Sequence, residues 1–344
     1  MTALTLGAFL SLSGKHARFG RRARLGLEIW HTANPALNLL IQDDRSDPAV
    51  LRAGFRDLAD RCDILLGPYS THLTRTAAHL AADHDRLLWN HGGSGDDVEA
   101  SHPGHLVSIL TPTSQYATPF LHHLATTTPL PLWIATGKGS FGRQVSDGAE
   151  TTAHTLGLPT VRLAPSDDLA NATTTQPWAL LCAGAFEEDV ETIERARALP
   201  VPPQVVCAVA AGVHEFGQAL DNPQGTYGIG QWFPGTTPTP RLGMDEPAFL
   251  TAYHDRAGVL PDYPAVQAVA AATIATHCAT TAGSTSRTAL WQAATDLETT
   301  TLFGAFKIDP HTGTQRGHQP ALIKWGQTGS MPLQPAHQSQ FTGP

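Results

Sequence analysis

The sequence predicts an α/β protein with two lobes, each built on a parallel central sheet. The chain has 344 residues, which is longer than one compact core usually supports, so two domains are expected. Short apolar runs alternate with amphipathic helices up to about residue 110, as in sheets covered by helices on both faces. The alternation then starts again, which predicts a second α/β unit.

The first unit begins with the run ALTLGAFLSLSG, which is predicted to be a strand ending in a Ser/Gly loop. A helix over 19–30 follows, because Leu25 and Ile29 share one face. Asp47 is predicted to cap the next helix, and Pro48 has the fixed φ and missing N–H that suit the first helical position. The remaining elements are the strand DILLG, a helix over 74–83, and the strands RLLWN and LVSIL.

The second unit is predicted to run from the helix YATPFLHHLA to the strand YGIGQWF. Between them lie the strands LPLWIAT, TVRLA, WALLCAG and QVVCAVA and the helices GRQVSDGAETTAHTLG and EEDVETIERARAL. PGTTPTP has linker composition. Three helices follow, over 246–257, 263–282 and 287–297, and the chain closes with the segments FGAFKID, PHTG and PALIKWG.

The composition favours a small-molecule ligand and excludes several other classes. The net charge is −8 and the 22 basic residues are scattered, which argues against nucleic acid or an anionic membrane as partner. No apolar run approaches the roughly 18–20 residues of a membrane span. The first ten residues lack the features of a secretion leader, so either the protein stays in the cytoplasm or a leader has been removed and it is extracytoplasmic. Neither the 17 histidines nor the four cysteines have metal-ligand spacing, and no cofactor motif is present, so no metal and no cofactor are expected.

Seven segments, in this order along the chain, carry a family resemblance. They are GAFLSLSGKHARFGRRARLGLEI, LLIQDDRSDPAVL, DILLGPYST, LLWNHGGSGDDV, GSFGRQVSDGAE, YPAVQAVAAATIATHCATTAGS and LFGAFKIDPHTG. Their order and distances resemble the type I periplasmic binding proteins, and more narrowly the branched-chain amino acid and amide-type substrate-binding components of ABC transporters. The resemblance implies two Rossmann-like lobes joined by a three-segment hinge that closes on a ligand.

The resemblance also implies lobe boundaries. The first lobe is expected at 1–115 and 240–318, and the second at 116–239 and 319–344. The crossovers are expected near 111–114, at the PGTTPTP stretch and near 317–320.

By the same resemblance, hydroxyl side chains in the first lobe hold the ligand's carboxylate. The matching positions are Thr71, with Ser70 beside it, and Ser94 in NHGGSG. Hydroxyls and backbone N–H groups at a helix start can seat an anion without a buried counter-charge. The alternative is that Ser70 and Thr71 only cap the following helix. Gly92 and Gly93 match positions where the backbone approaches the ligand, and the alternative for them is an ordinary turn.

Five aromatic residues are predicted to line the cleft. Phe19 matches a wall of the family's ligand site, and Phe141 and Phe186 match second-lobe positions that are often Tyr. Tyr69 and Trp232 are further candidates. The alternative is that these rings belong to the hydrophobic cores.

One departure from the family concerns the ligand's ammonium group. Amino-acid binders of the family have a carboxylate in the loop VVCAVAAGVHEFG, where this chain has Ala211. Glu215 could supply the charge from a shifted position, or it could be the solvated start of a helix. An ammonium enclosed without a partner costs several kcal/mol. The sequence therefore favours a carboxylate or amide ligand with an apolar or aromatic body.

Three functions are compatible with these patterns. The first is a non-catalytic binding component of an ABC importer, with a transporter permease as partner. The second is a cytoplasmic amide or acid sensor that acts on a regulatory partner. The third is a hydrolase that uses the HGGSG loop, although both GGSGD and KGSFG miss one glycine of the nucleophile elbow.

Overall fold

The computed structural model describes residues 3–165, 167, 169, 175–327 and 329–333. Its first part alternates strands and helices as predicted. The elements are β1 (Thr5–Leu10), α1 (Ala17–Ala33), β2 (Asn38–Asp43), α2 (Pro48–Arg61), β3 (Ile64–Leu66), α3 (Thr71–Asp83), β4 (Leu88–Asn90) and β5 (Leu106–Ser108).

The second part of the chain repeats the alternation and then adds helices and short strands. The repeat contains α4 (Thr118–Thr127), β6 (Leu132–Thr136), α5 (Gly139–Thr155), β7 (Thr160–Leu163), β8 (Ala179–Ala183), α6 (Phe186–Arg197), β9 (Val205–Ala208), α7 (Phe216–Ala219) and β10 (Tyr227–Gly230). The closing elements are α8 (Glu246–Ala257), α9 (Tyr263–Ala282), α10 (Arg287–Asp296), β11 (Thr299–Thr301), β12 (Gly304–Phe306), β13 (Ala321–Gly326) and β14 (Gly329–Pro332).

The backbone divides into two compact units. One takes the described residues of Met1–Gln115 and Thr237–Gln319, and the other takes those of Tyr116–Thr236 and Pro320–Pro344. The last part of the predicted second lobe, 334–344, lies outside the described residues.

The sheet of the first unit is wholly parallel, with the strand order β2-β1-β3-β4-β5. One face packs on α2 and α3 through a core that includes Phe9, Phe55 and Leu88. α9 contacts β3 and β4 and also packs on α1, where a side chain at Gly26 would lie 2.6 Å from the carbonyl oxygen of Ala265. α9 is buried along most of its length, as expected of a helix that is apolar nearly all round.

The sheet of the second unit is parallel except at one edge. Its order is β14-β13-β10-β9-β8-β6-β7, and β13 and β14 run antiparallel to their neighbours. The predicted parallel central sheet is therefore present, and it carries an antiparallel edge in addition. β13 buries Leu322 and Ile323, and Trp325 Nε1 donates to the Ala211 carbonyl at 2.9 Å.

Other boundaries differ slightly from the sequence predictions. α3 begins at Thr71 rather than at 74, because the side chain of Ser70 provides the cap. α8 and α9 have the predicted bounds, and α10 ends at Asp296. The sequence analysis missed β11 and β14, two short strands that pair in antiparallel hairpins.

The cap of α2 gives a first testable prediction. Asp47 Oδ1 accepts the N–H of Ala49 at 2.7 Å, so Asp47→Ala is expected to lower the free energy of unfolding by about 1 kcal/mol. Urea unfolding measures this loss. Lys138→Ala is the control, because Lys138 precedes α5 without a side-chain cap; equal losses in both variants would contradict the role of Asp47.

Candidate functional site

The topology of each sheet marks one place where a ligand is expected. Ligands of open α/β sheets bind outside the carboxyl ends of the strands, at the point where the strand order reverses. In the first unit this point lies between β1 and β3, and in the second it lies between β6 and β8. The predicted residues Phe19, Ser70 and Thr71 follow β1 and β3, and Phe141 and Phe186 follow β6 and β8.

Ser70 lies in a strained conformation at the start of α3. Its φ of 86° is in the left-handed region, which side chains rarely adopt. Its Oγ accepts the N–H of Leu73 at 3.4 Å, and its own N–H donates to the Gly92 carbonyl at 3.0 Å. The capping role that was the alternative for Ser70 is present, and its contact with a ligand stays a prediction.

Thr71 ties the start of α3 to the loop after β4, and Ser94 ties that loop to Thr113. Thr71 Oγ1 accepts the N–H of Gly95 at 3.1 Å. Thr113 Oγ1 donates to the Ser94 carbonyl at 2.7 Å and lies 2.9 Å from Ser94 Oγ. We call Ser70, Thr71 and Ser94 the hydroxyl seat. Thr113 is an additional hydroxyl that the sequence analysis missed.

Gly92 and Gly93 are required by close packing of the loop. A side chain at Gly92 would lie 2.6 Å from Tyr69 Cα and 2.7 Å from the Pro68 carbonyl oxygen. At Gly93 it would lie 2.4 Å from Thr74 Oγ1. Such distances exclude any Cβ without movement of the neighbours, so the two glycines allow this loop to pack directly on the loop after β3.

Two predicted aromatic residues form a stacked pair beside the hydroxyl seat. The rings of Phe19 and Tyr69 are 4.4 Å apart and inclined by 10°. Tyr69 Oη lies 2.6 Å from Tyr263 Oη on α9. The Arg18 guanidinium lies 4.6 Å from the Phe19 ring centre, a cation–π distance. Phe19 and Tyr69 are each partly exposed, so this pair can offer apolar surface to a ligand.

The surroundings of the aromatic pair carry positive charge. The ring of His16 is 6.0 Å from that of Tyr69. Burial, followed by the charges of Lys15 and Arg18, lowers the pKa of His16 to about 4. The charges of Lys15 and Arg18 beside the pair disfavour a further cation there.

Asn90 organises the NHGGSG loop from inside the protein. Its Oδ1 accepts the N–H groups of Gly92 at 3.1 Å and Gly93 at 2.8 Å. Its Nδ2 donates to the Gly93 carbonyl and to Ser108 Oγ. Because these two N–H groups are directed at Asn90, they do not form an oxyanion hole in this conformation, and the loop gives no support to the hydrolase hypothesis.

The candidates of the second unit lie in or beside its cores. The Phe141 ring packs edge-on against Tyr116 with the ring centres 5.8 Å apart. Phe186 is the first residue of α6 and packs on the core cluster around Trp178. Trp232 is 2% exposed, and its indole N–H has no acceptor among the described residues. Phe141 and Phe186 therefore show the core contacts that were the alternative. Trp232 is buried, and the ligand contacts of all three residues stay predictions.

Ala211 and Glu215 occupy different environments in the loop after β9. Ala211 is fully buried in the core of the second unit, within a short 3₁₀ helix. Glu215 is partly buried and directly precedes α7, where its carbonyl accepts from Gln218 and Ala219. The position expected to pair with an ammonium therefore holds a methyl group inside the core.

Two surface cavities are lined by other residues. One, of about 330 Å³, lies between α1 and β2 and is lined by Arg24, Glu28 and Leu39 among others. The other, of about 170 Å³, lies at the ends of β6, β7 and β8 beside Lys138 and Asp189. Neither contains a predicted site residue.

Within the described ranges, no group of three or more His, Cys, Asp or Glu side chains could hold a metal ion. No helix in the part of the chain that the structure describes is both long and apolar enough to cross a membrane.

Comparison with known proteins gives a family and a fold. The sequence matches the family described as "Periplasmic binding protein" over residues 3–329. No curated protein sequence matches the chain significantly.

Several solved structures are similar in fold. A leucine-binding protein from Thermotoga maritima superposes with a TM-score of 0.81 at 15% identity, covering 96% of this chain and 98% of its own. A branched-chain amino acid transporter binding protein from Streptococcus pneumoniae, in complex with isoleucine, superposes with a TM-score of 0.76 at 13% identity, covering 97% of this chain and 100% of its own. A solute-binding protein of an ABC transporter from Rhodopseudomonas palustris, in complex with 3,4-dihydroxybenzoic acid, superposes with a TM-score of 0.79 at 13% identity, covering 97% of this chain and 97% of its own. At these identities the likeness concerns the fold alone.

Proposed function

We propose a function from one premise: this chain belongs to the periplasmic binding protein family, which it matches over residues 3–329. The protein is a non-catalytic solute-binding protein, and it serves as the substrate-binding component of an ABC importer of the branched-chain amino acid and amide type. Its ligand is a small carboxylate with an apolar or aromatic body. Its macromolecular partner is the importer's permease.

One arrangement carries the proposal. The hydroxyl seat and the stacked Phe19–Tyr69 pair lie together at the switch point of the first sheet. Hydroxyls at a helix start suit a carboxylate, and a stacked pair that is partly exposed suits an apolar body. Lys15 and Arg18 add positive charge on the same side. An anion with a flat or branched apolar body satisfies all three features.

The position of Ala211 argues against a zwitterionic ligand. A buried methyl group cannot compensate an ammonium, and leaving that charge unpaired costs several kcal/mol. Solved neighbours include complexes with isoleucine and with 3,4-dihydroxybenzoic acid, so the fold accommodates both ligand classes. We favour the acid without an ammonium group. No feature of the described residues favours the sensor alternative.

The hydroxyl seat gives a direct test. In the double variant Thr71→Ala/Ser94→Ala, the affinity for the best carboxylate of a ligand screen is expected to fall about 10- to 100-fold, because two hydrogen-bonding groups to an anion are removed. Isothermal titration calorimetry measures the affinity, and circular dichroism confirms the fold.

Thr76→Ala is the matched control, because Thr76 lies on the same helix and its hydroxyl, within the described residues, bonds to the His72 carbonyl at 3.3 Å. Its affinity should equal that of the wild type. An unchanged affinity in the double variant would show that the seat does not hold the ligand.

A further inference from the structure

We propose that Glu99 is a positioning residue that makes the NHGGSG loop respond to pH, acting through Ser108 and Asn90. Its effect on ligand affinity rests on the proposed function, whereas its effect on the loop does not. The proposal follows from a chain of hydrogen bonds, from the burial of its members and from the charges around Glu99.

The hydrogen bonds have a fixed direction. Gly92 and Gly93 donate their N–H groups to Asn90 Oδ1 at 3.1 and 2.8 Å. Asn90 must therefore donate from Nδ2 to Ser108 Oγ, at 2.6 Å. Ser108 then has its own hydrogen free to donate to Glu99 Oε1. The carboxyl is thus connected to two loop amides by an unbroken series of donors and acceptors.

The residues of this hydrogen-bond series are shielded from water. Asn90 and Ser108 are fully buried and Glu99 is 4% exposed. Glu99 Oε2 is buried and has no partner among the described residues. A carboxylate in this position lacks the additional donors that would compensate its charge, so its charged form is costly.

Nearby charges add to this cost. Asp96 and Asp97 precede Glu99 in the chain, and the Asp97 carboxylate pairs with Arg75 of α3 at 2.6 Å. Further titratable groups near this segment are His102, whose backbone N–H donates to the Glu99 carbonyl, and His79 of α3, whose ring centre lies 5.4 Å from that of His102. Burial above all, then the Asp96 and Asp97 charges, raises the pKa of Glu99 to about 7 against the lowering effect of Ser108. Glu99 therefore changes charge near neutral pH.

Ionisation of Glu99 changes the state of the loop. A carboxylate accepts the Ser108 hydrogen more strongly than a neutral carboxyl does. Ser108 Oγ then becomes a better acceptor for Asn90, and Asn90 Oδ1 a better acceptor for the two glycine amides, because linked hydrogen bonds strengthen one another. Above the pKa of Glu99, the amides of Gly92 and Gly93 are held more tightly by Asn90.

Ionisation of Glu99 is also unfavourable for the binding of an anionic ligand. The ionised carboxyl of Glu99 repels the ligand carboxylate, and Asn90 holds the loop amides more tightly. We expect the affinity for benzoate, a carboxylate that is ionised throughout this range, to fall about tenfold between pH 6 and pH 8.

The test uses the full chain without ligand. Amide chemical shifts of Gly92 and Gly93, followed by nuclear magnetic resonance from pH 5 to pH 9, should move with a midpoint near 7 in the wild type and stay flat in Glu99→Gln. Glutamine keeps an acceptor for Ser108 but cannot ionise. In Ser108→Ala the Glu99 carboxyl remains but the series of hydrogen bonds is interrupted, so the pH-dependent change in the glycine chemical shifts should become smaller.

Asp189→Asn is the control, because it removes the other buried carboxyl whose pKa is raised to about 7 and leaves the loop intact. It should show the wild-type titration of both glycines. The same titration in Glu99→Gln, or none in the wild type, would overturn the proposal.

Benzoate affinity then separates the two proposals. A tenfold fall in the wild type, with a change under twofold in Glu99→Gln, supports the coupling to the ligand, and a flat wild-type profile overturns it. If benzoate does not bind while the glycines titrate, the proposed ligand class fails and the pH response of the loop stands.

Discussion

Replacing Gly92 by alanine is expected to abolish ligand binding and to lower the free energy of unfolding by about 1–3 kcal/mol. The added Cβ would lie 2.6 Å from Tyr69 Cα and 2.7 Å from the Pro68 carbonyl oxygen. Both are backbone atoms, which cannot rotate away as a flexible side chain does. The loop after β3 must therefore move, carrying with it Tyr69 and the bond from Ser70 N–H to the Gly92 carbonyl.

Gly67→Ala is the matched control for this prediction. Gly67 lies in the same loop after β3, but the atoms nearest to a Cβ there belong to the Leu88 side chain, at 3.4 Å, which is an ordinary contact. Urea unfolding and ligand titration should leave this variant close to the wild type. If the two variants were equally stable and bound ligand equally well, the close packing of Gly92 would not matter for the site.

Asp189 is expected to make stability fall as the pH rises. It is fully buried, and its oxygens accept the N–H groups of Gly184 at 2.7 Å and Ala210 at 2.9 Å. Burial outweighs these bonds and raises the pKa of Asp189 from 3.8 to about 7. Between these two values the folded state binds more protons than the unfolded state. The contribution of the neutral carboxyl is therefore complete below pH 3.8 and is lost as the pH rises through 7.

The measurement is the difference in stability between the wild type and Asp189→Asn from pH 4 to pH 8. Asparagine cannot ionise, so the wild type should lose on the order of 4 kcal/mol relative to it across this range. The amide also loses one of the two acceptors, which adds an offset that does not depend on pH. His91 makes stability rise with pH, because burial lowers its pKa to about 4. This contribution is present in both proteins and cancels when their stabilities are subtracted. A difference that stayed constant with pH would contradict the prediction.

The sequence was sufficient to predict most of the fold, because its signals are local. The alternation of buried strands and amphipathic helices predicted both units, and Asp47 with Pro48 marked the start of α2. The antiparallel pairing of β13 with β10 was missed, because it joins segments almost a hundred residues apart and leaves no periodicity of its own. β11 and β14 are too short to give a pattern.

The candidate site was predictable where it follows strand ends. Ser70, Thr71 and Ser94 could be singled out because they stand at the carboxyl ends of β3 and β4. The residues that support the site could not be predicted, because they come from distant parts of the sequence. Tyr263, for example, contacts Tyr69 although the two are 194 residues apart. Glu99 lies in the polar segment DDVEASH, which reads as a solvated loop. Only the folded structure reveals that this one carboxyl is buried. The run Asn-His-Gly-Gly was the signal that could have indicated Asn90.

The central claim is that the ligand is a carboxylate without an ammonium group. Thermal unfolding tests it most directly, with leucine, valine and phenylalanine each compared with the deaminated acid and the amide, and with benzoate added. At about 100 times its dissociation constant, a ligand stabilises the folded state by roughly 2.7 kcal/mol, which gives a clear rise in melting temperature. We expect the acids and benzoate to raise it and the amino acids to leave it unchanged. A rise with the amino acids alone would contradict the claim and would require an acid such as Glu215 to pair with the ammonium.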